Sequence, residues 1–68
     1  MTVTTYSKIY EGEKIDCMVT GEIEKFSKWE RFRVYYKYKD WEVWEGGHFA
    51  YSSKASAQKA ARNMIKNS

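Results

Sequence analysis

Proline is absent from this 68-residue chain, cysteine and histidine occur once each, and no acidic residue appears after Glu45. Each absence removes a class of explanation. Without proline there is no proline-rich linker or recognition tail. Cys17 alone closes no internal disulfide, and together with His48 it falls short of the four ligands of a structural zinc site, so no cofactor or metal is expected. No apolar stretch approaches the ~7 to 15 residues of a signal-peptide core, let alone a membrane span. The expected setting is a reducing cytoplasm, without membrane contact.

Catalytic groups are equally sparse. Cys17 and His48 are a conceivable nucleophile and base, yet no second histidine, nucleophile-elbow glycines or phosphate-binding loop accompany them. The pairs Glu11 and Glu13, and Glu22 and Glu24, read as solubilising charge on a strand. A non-enzymatic protein is the expectation.

What the chain does have is rings and cations. Three Trp, six Tyr and three Phe make 18% of the residues aromatic. A single small domain over residues 1–68 buries only roughly 60% of its unfolded surface, and rings compensate for size because each buries on the order of 150 to 250 Å². The net charge is +3 and unevenly spread. Residues 46–68 hold Lys54, Lys59, Arg62 and Lys66 with no acid, while residues 1–45 hold eight basic and nine acidic groups.

Periodicity supplies the elements. Residues 1–7 are threonine-rich and read as a frayed start or a short edge strand. Ile15, Cys17 and Val19 alternate with Asp16, Met18 and Thr20, the pattern of a half-buried strand bracketed by Gly12 and Gly21. Ile23 and Phe26 then belong to a further short strand or to a bulged continuation. Over residues 30–38 the alternation sets Phe32, Val34, Tyr36 and Tyr38 on one face and Arg31, Arg33, Tyr35, Lys37 and Lys39 on the other. Lys39 and Asp40 make the turn, residues 41–45 the return strand, and Gly46 and Gly47 its stop. Residues 48–51 lead into a helix that Ser52 or Ser53 caps. Its apolar stripe is Ala57, Ala60, Ala61, Met64 and Ile65, flanked by Lys54, Gln58 and Arg62. The expected fold class is α+β: a small antiparallel sheet of three or four strands, packed against one C-terminal α-helix through its alanines.

The sharpest functional signal is residues 29–44, WERFRVYYKYKDWEVW. A wet sheet face bearing Arg31, Arg33, Tyr35, Lys37 and Lys39, with Trp44 across the turn, offers charge for phosphates and π surfaces for bases. The plain alternative is a solvated face partly neutralised by cross-strand pairing with Glu42. Lys54 stands where a helix N-terminus disfavours a cation, so an anion beside Ser52, Ser53 and Lys54 would relieve both the charge and the free amides.

The run Val43-Trp44-Glu45-Gly46-Gly47-His48-Phe49, followed by Ser53-Lys54-Ala55-Ser56-Ala57-Gln58-Lys59-Ala60-Ala61, resembles the last strand and helix of the plant ethylene-response-factor type DNA-binding domain and of integrase arm-binding domains. The resemblance implies a three-stranded sheet lying in the major groove, with Arg31, Arg33, Lys37 and Trp44 facing DNA. Ser53, Lys54, Ala57, Ala60 and Ala61 are also similar to the C-terminal half of a double-stranded RNA-binding domain. The expected function is nucleic-acid binding, with duplex DNA favoured and RNA as the second target. The alternative is a small protein-interaction module, such as a phage or mobile-element inhibitor or accessory factor that binds a host protein. A homodimer joined through an unpaired sheet edge is a further expectation.

Overall fold

The alternation around Cys17 is realised as the second of four strands. The computed structural model describes residues 2–68, with β1 at Thr2–Glu11, β2 at Ile15–Glu24, β3 at Glu30–Tyr38, β4 at Glu45–Tyr51 and the helix α1 at Lys54–Asn67. The strands form one antiparallel sheet in chain order. The fold is α+β, a four-stranded sheet packed against one C-terminal helix. Among the described residues no helix is long and apolar enough to cross a membrane.

Sheet and helix meet through small side chains. Ala57 and Ala61 of α1 are fully buried against Cys17 and Val19 of β2 and Phe32 of β3, and Tyr6, Tyr10, Val34, Tyr36, Tyr51, Met64 and Ile65 close around them. An alanine stripe lets the helix approach closely, so the strands' rings supply the volume that the helix lacks. No polar or charged side chain is buried among the described residues. Ser53 is the N-cap, its Oγ accepting from the Ser56 amide at 3.2 Å.

Three boundaries differ from the sequence reading. Thr2–Glu11 is a ten-residue edge strand, so residues 2–7 are paired with β2; Met1 lies outside the described residues. Of the two readings at Gly21 the continuation holds: Gly21 sits inside β2, opposite Tyr6 and Phe32, but the irregularity falls on β1 between Thr4 and Tyr6. Bare Cα space is needed there: a Cβ on Gly21 would stand 2.8 Å from Thr5 Oγ1 and 2.9 Å from Phe32 Cε1.

The third difference is the return strand, which is β4 at Glu45–Tyr51 and not residues 41–45. Gly46 and Gly47 take φ of 100° and 78°, which lets the chain bulge and continue along β3 where a side chain would have ended the pairing. Residues 39–44 form the loop instead. Trp41 is held there by rings, edge-on to Tyr38 at 4.8 Å and 5.9 Å from Tyr36.

The crowding at Gly21 predicts that Gly21→Ala destabilises the fold by about 1–3 kcal/mol, the usual cost of overpacking. Urea unfolding should show a lower midpoint at an unchanged m-value. A midpoint at or above that of the parent chain would mean that β1 and β2 are not packed as described.

Candidate nucleic-acid interface

Strand parity decides which side chains share a face. Because α1 covers Phe32, Val34 and Tyr36, the opposite face of β3 presents Arg31, Arg33, Tyr35 and Lys37 away from the helix. The neighbouring residues of β2 on that face are Asp16, Met18, Thr20 and Glu22. Register sets Glu22 directly beside Arg31 and Asp16 beside Lys37, a few ångströms apart as opposed residues always are. A carboxylate therefore stands at each end of the row of cations.

Three of the cations, Arg33, Lys37 and Lys39, are engaged. Arg33 donates from Nη1 to the Gly47 carbonyl at 2.6 Å, and its Nε lies 4.0 Å from Glu22 Oε1. Lys39 donates to Asp16 Oδ1 at 2.6 Å, and this hydrogen bond, aided by its charge, holds the Asp16 carboxyl below its ordinary range. Lys37 reaches the Trp41 carbonyl at 3.4 Å and lies 5.5 Å from the centre of the Trp44 ring. Arg31 is exposed and lines a shallow cleft with Thr2, Glu22, Glu24, Trp29 and Arg33. The Tyr35 ring lies against Gly47, where an added Cβ would come within 2.3 Å of it. The hairpin thus brings Arg31, Arg33, Tyr35, Lys37 and Trp44 together, with Lys39 at the turn, on a surface where Asp16 and Glu22 offset part of the positive charge.

Lys54 stands apart, on the helix side. Its ammonium lies 4.2 Å over the Tyr6 ring, a cation–π contact that offsets its unfavourable place in the first turn. Gln58 Nε2 donates to Tyr6 Oη at 3.0 Å, and this bond above all lowers the Tyr6 pKa. Tyr10 shifts the other way, chiefly because burial disfavours its phenolate. Lys8, on β1 opposite Val19, lies 5.0 Å from the Tyr10 ring. These contacts gather Lys8, Lys54, two phenol rings and the adjacent Arg62 along the seam between β1 and α1.

Charge is consequently segregated. The helix α1 carries Lys54, Lys59, Arg62 and Lys66 and no carboxylate. Lys66 shares a hollow with Glu11 and Glu13, but Lys8, Lys54, Lys59 and Arg62 make no ion pair among the described residues. The other eight cations are outnumbered by nine carboxylates. Elsewhere, Cys17 is fully buried, and burial first and Asp16 second raise its thiol pKa, while His48 is exposed on β4.

No family model matches the chain, and no curated protein or solved structure is significantly similar to it.

Sequence reasoning found the hairpin cations but not their partners. The signal was present: Asp16, Glu22 and Glu24 fall at even positions and so share one face of β2, provided that Gly21 is read as part of the strand. The β1–α1 seam joins residues more than forty positions apart and has no local signature.

The Asp16–Lys39 pair predicts a pH effect of known sign. The Asp16 pKa is depressed by folding, so its stabilisation is present above the ordinary carboxylate range and is lost as acid titrates the folded carboxyl. Chemical unfolding followed from pH 7 down to pH 3 should show a smaller acid-side loss in Asp16→Asn than in the parent; identical slopes would deny the ion pair a role.

Proposed function

We propose that this chain is a non-enzymatic nucleic-acid-binding module whose phosphate contacts are made by α1 and the adjoining side of β1. The observation that carries the reading is the helix itself: four cations and no carboxylate, in a chain whose remaining surface is close to neutral. A phosphate approaching Lys59 or Arg62 meets uncompensated charge, whereas one approaching Arg31 meets Glu22 in the next strand. At physiological ionic strength charges beyond about 8 Å are screened, so this local balance matters more than the net charge. Lys8, Lys54, Lys59 and Arg62 supply the electrostatic contacts; Arg31, Lys37 and Trp44 of the hairpin are secondary.

A second reading, a protein-interaction module, has its own observation. Ile9, Met18 and Tyr35 lie side by side across the open face of the sheet, and the rings of Phe26 and Trp29 at its tip are 92% and 76% exposed. Aromatic anchors of this kind dominate protein interfaces.

Titration with DNA and RNA oligonucleotides at several salt concentrations separates the two. Electrostatic binding through about four phosphate contacts gives a log-log salt slope near −3 to −4. Reversing both Lys59→Glu and Arg62→Glu should cost about tenfold or more at low salt, whereas Arg31→Glu with Lys37→Glu should cost roughly threefold or less. Absence of binding at low salt would leave the protein-interaction reading; the opposite ranking of the two double variants would return the contact to the hairpin.

A further inference from the structure

β1 is an edge strand of unusual regularity. From Tyr6 to Glu11 it pairs residue by residue with β2, and its other side faces no strand. Seven of its ten residues are β-branched or aromatic, and it contains neither proline nor glycine. Natural edges are blunted to prevent pairing, and here the blunting is on the other side of the sheet, where β4 carries two positive-φ glycines and a break in register. On β1 only the irregularity at Thr5 and one lysine, Lys8, stand in the way.

The surface area points in the same direction. The chain exposes 5127 Å², against about 4,500 Å² expected for a folded monomer of this mass. An excess of about 600 Å² on each copy is what a specific interface at the small end of the stable range would cover. Ile9, 53% exposed, lies at the centre of the regular part of β1.

We propose that two copies of this chain pair antiparallel through the free edges of β1, about Ile9, and that the dimer builds a basic groove which neither copy has alone. With Ile9 beside the partner's Ile9, Lys8 falls beside the partner's Tyr10, and no like charges are opposed. The helix lies over β2 and β3 and reaches β1 only through side chains, Lys54 and Gln58 at Tyr6 and Arg62 beside Tyr10. With strands about 4.8 Å apart, the two helices stand about 20 Å from axis to axis across the dimer. Subtracting a helix diameter of about 10 Å leaves a channel about 10 Å wide. Its floor is Lys8 and the half-buried rings of Tyr6 and Tyr10 from both copies, the Tyr6 ring lying under Lys54, and its walls are Lys54, Gln58 and Arg62. Cations tracking a backbone over a floor of rings are the recognition chemistry of single-stranded nucleic acid. The ligand half of this inference rests on the nucleic-acid reading above; the dimer half does not.

Sedimentation without nucleic acid tests the dimer. Ile9 projects from the open face, so Ile9→Glu and Ile9→Lys leave the groove lining intact while placing like charges on the axis. Each variant alone should sediment as a monomer, and their equimolar mixture as a dimer. A parent chain monomeric at every concentration, or a mixture that stays monomeric, overturns the pairing. Oligothymidylate and a duplex of matched length test the groove: the single strand should bind the parent and the mixture about tenfold or more tighter than either variant alone. Equal single-strand affinity in dimer and monomer overturns the groove but leaves the dimer. A dimer that binds neither probe overturns the nucleic-acid reading while β1 pairing stands.

Discussion

The contact of Ala57 and Ala61 with Cys17, Val19 and Phe32 is the constraint from which the other features follow. Among the described residues only six apolar side chains are buried, so the helix cannot dock on bulk and must dock on proximity. Alanine at both positions brings the helix backbone down to the sheet, and the rings of Tyr6, Tyr10, Tyr36 and Tyr51 close around the contact. Enlarging either alanine would lift α1 off the strands; shrinking Phe32 would leave a cavity beneath it.

That docking fixes the electrostatics. Once α1 occupies one face, the even residues of β2 and the odd residues of β3 must share the other, and register pairs carboxylate with cation along it. The same docking turns Lys59 and Arg62 to solvent and seats Lys54 over Tyr6. A chain with a modest net charge thereby acquires one partly compensated face and one positive side. Net charge alone would have described neither.

Much of this was legible in the sequence. The period-two patterns of β2 and β3 and the alanine stripe of α1 predicted the sheet, the helix and the face on which they meet, because each is a local repeat enforced by burial. Glycine was the weak point. The sequence leaves Gly21 open between a strand end and a bulged continuation, and it is a close-approach position inside β2; Gly46 and Gly47 read as a stop and are a bulge within β4. Both cases share a cause, since glycine records a need for space or positive φ but not which need it is. The candidate interface was legible only in part: the hairpin cations were visible, but their neutralisation by Asp16 and Glu22 depends on register, and the Tyr6, Lys54 and Gln58 seam depends on tertiary approach.

Chemical-shift mapping with an isotope-labelled chain and a short oligonucleotide at low salt tests the central claim most directly, because it reports every backbone amide at once. The expected perturbations fall on α1 between Lys54 and Arg62 and on β1 between Tyr6 and Tyr10, and they collapse as salt is added. Perturbations confined to residues 31–39 and Trp44, with the helix amides unmoved, would contradict the assignment of the positive surface to the helix side.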